Sequence, residues 1–182
     1  MSDKKLEGAG LRGQVAGKTS LSTVGKAGKG LTYRGYPIEV LSEKAKFEEV
    51  AYLLMYGSLP NNEEYKNYSS KLISMRSLPD PILEVLERIP ASAHPMDVMR
   101  TGCSMLGNIE PEGEFSNQQE SADRILSTMA SIIVYWYKYS HEGKKVNTSS
   151  DYETIGGHFL SLLHDNEPSE DQISCLLYTS DA

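Results

Sequence analysis

The sequence predicts a mainly α-helical protein with a small β-hairpin near its N-terminus. Three observations predict it. Apolar residues recur at helical spacing from Pro37 onward. Helix-starting and helix-stopping residues bracket those stretches. The first 36 residues instead combine many glycines with two short β-like runs.

Gly8, Gly10, Gly13, Gly17, Gly25, Gly28, Gly30 and Gly35 make the start loop-rich. Residues 20–24 and 31–36 carry β-branched or aromatic side chains, and residues 25–30 suit the turn of a hairpin between them. Phe47, Val50, Ala51 and Leu54 then fall on one helical face, with Gly57 as terminator and Pro60 beyond it. Asn62 reads as the N-cap of the next helix, with Glu63 and Glu64 in its first turn and its end near Arg76. Asp80 and Pro81 open a short helix carrying Ile82, Leu83 and Leu86. Pro95 opens another, capped by His94, with Met96, Met99, Cys103 and Leu106 on one face. After a polar loop over 110–117, Asn117 and Glu120 resemble a capping box. The longest helix follows, to about His141, with Ala122, Ile125, Met129, Ile132, Ile133 and Trp136 apolar and Gly143 as its stop. A final helix over 152–164 turns Ile155, Phe159, Leu162 and Leu163 inward.

Composition bounds the function. The chain has 182 residues, 39% hydrophobic and 24% charged, which suits a soluble globular protein. A net charge of −7 gives no global attraction for nucleic acid phosphates. The apolar run 132–137 is too short to span a bilayer, and no apolar segment follows the charged N-terminus as a secretory signal requires. Cys103 and Cys175 are unclustered, which makes neither a disulfide framework nor a zinc site and suggests a reducing, cytoplasmic location.

Few residue patterns carry chemistry by themselves. Gly13 to Thr19 has one residue too few between its glycines for a phosphate loop, and a β-like run follows where a helix should. Lys26 and Lys29 fit an exposed hairpin turn. His158 and His164 are six apart and share no helical face, so no histidine pair has metal-ligand spacing. His141 and His164 suit helix C-termini, where a cation is favoured. Asp97 and Arg100 read as an ion pair across one helical turn. In the aromatic run 135–139, Trp136 is expected in the core with tyrosines at its margin.

Four segments together resemble one family. They are Gly10-Leu-Arg-Gly-Gln-Val-Ala-Gly-Lys-Thr19 with Thr23 and Val24; Tyr33-Arg-Gly-Tyr-Pro37 with Phe47-Glu-Glu-Val-Ala-Tyr-Leu-Leu54; His94-Pro-Met-Asp-Val-Met-Arg-Thr-Gly102; and Tyr135-Trp-Tyr-Lys-Tyr-Ser-His141 with Ile155-Gly-Gly-His-Phe-Leu160. In order and spacing, over residues 9–168, they are similar to the N-terminal half of the citrate synthases. The last segment is closest to the 2-methylcitrate synthase branch.

The resemblance implies a citrate synthase-like helical large domain, present in part, from a homodimeric acyltransferase of propionate breakdown. Its reaction condenses propionyl-CoA, or acetyl-CoA in the sister enzymes, with oxaloacetate and water. It needs no organic cofactor and no metal; the CoA thioester is a substrate. Proton abstraction beside a thioester requires a carboxylate base and a donor that stabilises the enolate oxygen. The family's two histidines and aspartate lie past the end of this chain, so the resemblance assigns no catalytic residue here and implies that this piece is inactive alone. Two candidates remain: Arg12, aligned with an arginine that some relatives aim at CoA phosphates, and Arg76 for substrate carboxylate binding. The implied organisation is a glycine-rich loop and hairpin over 1–36, the incomplete helical domain over 37–173, and a foreign or frame-shifted tail over 174–182. The alternatives are a plain citrate synthase of the tricarboxylic acid cycle and a non-enzymatic helical interaction module.

Overall fold

The computed structural model describes residues 17–24 and 30–180. Three two-residue strands come first, β1 (Ser22–Thr23), β2 (Thr32–Tyr33) and β3 (Tyr36–Pro37), forming an antiparallel sheet in the order β1-β2-β3. Eight helices follow: α1 (Ile38–Lys44), α2 (Phe47–Tyr56), α3 (Asn62–Ser74), α4 (Asp80–Glu87), α5 (Pro95–Ile109), α6 (Gln118–Glu142), α7 (Ile155–His164) and α8 (Glu170–Ser180). The mainly α class read from the sequence holds. The β element gains a strand, because the run 31–36 breaks at Arg34-Gly35 into a second hairpin pairing Tyr33 with Tyr36. Both turn residues have positive φ, +49° and +92°, as a tight primed turn demands. The Arg34 side chain then ties the sheet to the helices, donating to Leu54 O at the C-terminal end of α2 and to Ser20 Oγ.

Several helix ends differ from the sequence reading. The cap of α3 is Asn61, not Asn62: its Oδ1 accepts from Glu63 N and Glu64 N, and Glu64 Oε2 accepts from Asn61 N. No capping box forms at Asn117. A 3-10 turn over Phe115–Asn117 holds its backbone helical, whereas a capping side chain needs an extended residue, and its amide donates instead to Glu112 O. The last predicted helix starts at Ile155 rather than 152, capped by Thr154 Oγ1 on Gly157 N. α8 was not expected. Its start is marked by Ser169, which exchanges backbone-to-side-chain hydrogen bonds with Gln172.

α6 is the axis of the fold, packing against α3, α4, α5 and α7. The main core joins Leu78, Ile82 and Leu86 to Val98 and Leu106 of α5 and to Ile132, Tyr135 and Trp136 of α6. The buried stripe of α5 is therefore Val98, Gly102 and Leu106, not the methionine line. Met96 is 63% exposed. The α6 expectation holds for Ile132 and Trp136, while Ile125 is exposed and Ala122, Met129 and Ile133 are half-buried. The reason is a second inward stripe on α6 that is polar: Asp123, Ser127 and Ser131, four residues apart and buried.

Candidate functional site

The strongest buried polar arrangement centres on Arg76 and His158. Residues 148–154 lead into α7 without helix or strand structure of their own, and side chains anchor them. Leu78 N donates to Thr148 Oγ1 at 3.0 Å, and Arg76 Nη1 donates to Ser150 O and Tyr152 O. Ile155 N, at the start of α7, donates to Glu48 Oε1 at 2.7 Å. On the outer side, Lys46 Nζ and Tyr65 Oη both reach Glu153 Oε1.

His158 closes a ring of hydrogen bonds behind this segment. Its Nδ1 is 2.7 Å from Ser150 Oγ and its Nε2 is 2.9 Å from Ser131 Oγ. Ser131 Oγ donates to Arg76 O at 2.9 Å, so its remaining contact with the imidazole is as acceptor. That assigns the proton to Nε2 and makes Nδ1 the acceptor from Ser150. The ring is neutral: burial, aided by the nearby Arg76 charge, depresses its pKa to about 3. A serine on each nitrogen is the geometry of a nucleophile and base. However, no carboxylate bonds to the ring among the described residues, and both His158 and Arg76 are fully buried there. This arrangement ties Arg76, Thr148 and Ser150 to the core.

A second polar node lies one and two turns earlier on α6. Asp123 is fully buried and accepts from Tyr56 Oη (2.8 Å), Tyr68 Oη (3.0 Å) and Lys71 Nζ (2.7 Å). Burial first, and then Asp123, push the Tyr56 hydroxyl up to about 12 and the Tyr68 hydroxyl higher. Lys71 also bridges to Glu120. Arg124, next along α6, is consumed by Glu110 and by the Met75 and Ser77 carbonyls. It floors a cleft of about 640 Å³ between α3, α5 and α6.

The sequence-derived candidates scatter. Arg12, Lys26 and Lys29 lie outside the described residues. Arg76 is fully buried; burial pulls its pKa down, and it donates to the Ser150 and Tyr152 carbonyls and to Ser150 Oγ at 3.5 Å. His94 does cap α5, accepting from Met96 N at 3.2 Å, and Asp97 pairs with Arg100 at 3.1 Å on an exposed face. His141 stacks on Tyr137 at the end of α6. Cys103 Sγ contacts Met129 Sδ at 3.8 Å, and its burial raises the thiol pKa, the behaviour of a packed thiol. No group of metal-ligating side chains forms among the described residues, and no helix there is long and apolar enough to cross a membrane. Sequence reasoning missed Glu48, Asp123 and His158 as organising groups. Only the spacing of Asp123, Ser127 and Ser131 offered a signal.

Comparison with known proteins places this scaffold. Residues 10–178 match the family described as citrate synthase, C-terminal domain. A 2-methylcitrate synthase from Shewanella oneidensis is 61% identical over 170 residues, covering 93% of this chain and 45% of that protein. A 2-methylcitrate synthase from Corynebacterium glutamicum is 32% identical over 92% of this chain and 44% of its own length. Among solved structures, citrate synthase from Thermotoga maritima superposes with a TM-score of 0.77 at 28% identity, covering 93% of this chain and 45% of that one. The chain thus spans about half the length of the relatives it matches. With its helical scaffold, its motif order and these matches in agreement, the chain belongs to the citrate synthase family.

Proposed function

We propose that this chain is the N-terminal part of an acyltransferase that condenses propionyl-CoA with oxaloacetate and water, giving 2-methylcitrate and free CoA. The observation that carries the reading is the 61% identity to a 2-methylcitrate synthase across nearly the whole chain. Acyl transfer to a carbon acceptor needs one group to take the α-proton and others to stabilise the enolate and the carbonyl oxygen. His158 is fully buried and neutral, locked between Ser131 and Ser150 of this segment. The packed α3–α7 scaffold would hold segments carried by the longer relatives. No cofactor or metal enters this reaction scheme, and the enzyme would work in the cytoplasm.

The whole enzyme would be a homodimer. Support comes from exposed apolar side chains on α5 and α6, Met96, Ile125 and Tyr137, with Cys103 and Met129 in contact between the two helices. An apolar face of this kind is the signature of a protein contact.

The test is a free-thiol assay on the intact protein with oxaloacetate and each acyl-CoA. The expected outcome is CoA release with propionyl-CoA preferred; one methylene in an apolar pocket is worth roughly 10–200-fold in kcat/KM. A preference for acetyl-CoA would make the protein a citrate synthase. Absence of CoA release with both would reject the enzyme reading in favour of a helical interaction module.

A further inference from the structure

Glu48 and Arg76 grip the two ends of one short segment. Arg76 Nη1 donates to Tyr152 O, and Glu48 Oε1 accepts from Ile155 N. Two residues, 153 and 154, lie between these contacts, so the two points of grip on the backbone are at most about 10 Å apart. Both side chains are fully buried, yet they form no direct ion pair. Among the described residues, Glu48 Oε2 and the Nε–Nη2 edge of Arg76 have no hydrogen-bond partner. Buried charged atoms are almost never left so, because nothing else replaces their lost hydration.

The charges on the two walls select the occupant. Glu48 would repel an anion drawn to the guanidinium edge, and Arg76 would repel a cation drawn to the carboxylate. A neutral group that accepts from Arg76 and donates to Glu48 meets both demands, and water is the smallest that does. We propose that ordered internal water bridges Glu48 Oε2 to the Nε–Nη2 edge of Arg76, completing the clamp that sets where α7 begins. The bridge lets both charged groups keep their hold on the backbone.

A crystal structure of the intact protein at about 1.5 Å tests this. The expected result is a water within about 2.7–3.2 Å of both Glu48 Oε2 and an Arg76 nitrogen. A direct carboxylate–guanidinium contact, or a site without density, overturns the proposal. Oxygen-17 relaxation dispersion gives an independent reading: the Glu48→Leu/Arg76→Met double variant should lose at least one long-lived internal water, and an unchanged count also overturns it.

Discussion

Gly102 of α5 meets Ile132 of α6 at a distance that admits no side chain. A Cβ on Gly102 would lie 2.6 Å from Ile132 Cγ2. Ile132 is fully buried and its branched χ1 is stiff, so it cannot swing aside. In an exposed helix, Gly→Ala stabilises by about 1 kcal/mol. Here overpacking of about 1–3 kcal/mol opposes and exceeds that gain. Gly102→Ala should lower the unfolding midpoint of the intact protein in urea; a raised midpoint would show that the two helices can separate freely.

His158 predicts acid sensitivity with a defined sign. Its folded pKa, about 3, lies below the ordinary 6.5 of the unfolded chain, so the unfolded state binds the extra proton between those values. Stability is unaffected above pH 6.5 and falls as pH drops toward 3, with a limiting slope of about 1.4 kcal/mol per pH unit. Glu48 acts in the opposite sense just above pH 4.5, because burial raises its pKa and it favours the folded state when protonated. The cleanest window is therefore near pH 5.5–6.5. A His158→Gln variant should flatten the stability profile there; an unchanged slope would show that His158 is not the titrating group.

Asp123→Ala should be among the most damaging single changes. It removes an acceptor from Tyr56, Tyr68 and Lys71 at once and leaves the lysine without its buried partner. Breaking a buried pair from one side costs about 3–5 kcal/mol. Lys71 keeps Glu120 and is itself partly exposed, which argues for the lower end. Chemical denaturation of the intact protein measures it, and a loss below about 1 kcal/mol would contradict this account.

Met96→Asp tests the proposed dimer contact on α5. A carboxylate placed on an apolar contact surface must be desolvated for two copies to associate. The expected outcome is a dimer that dissociates at higher protein concentration in sedimentation experiments, with the fold unaltered because Met96 is exposed. A dimer as tight as the parent would place the contact elsewhere.

Arg12→Ala should raise the KM for acyl-CoA by roughly tenfold or less, the scale of one charge-assisted phosphate contact of about 1.4 kcal/mol. KM for oxaloacetate should not move. If steady-state kinetics show no change for acyl-CoA, Arg12 does not hold its phosphates.

Local signals were enough for six of the eight helices among the described residues, α2 to α7. The period of Phe47, Val50 and Leu54, the proline openings at Pro81 and Pro95, the His94 cap and the stops at Gly57 and Gly143 act within one or two turns, so the sequence carries them openly. The motif order carried the family as well. Tertiary structure decided which face of each helix turns inward. On α5 the methionine line looked apolar enough to be the core, but close approach to Ile132 requires a residue without a side chain, so the Gly102 face won. On α6, Asp123 and Ser131 look like solvated residues until Tyr56, Tyr68, Lys71, Arg76 and His158 arrive from segments 27–67 residues away to satisfy them. Burial of a polar group is settled by its partners, and partners distant along the chain leave no local period to read.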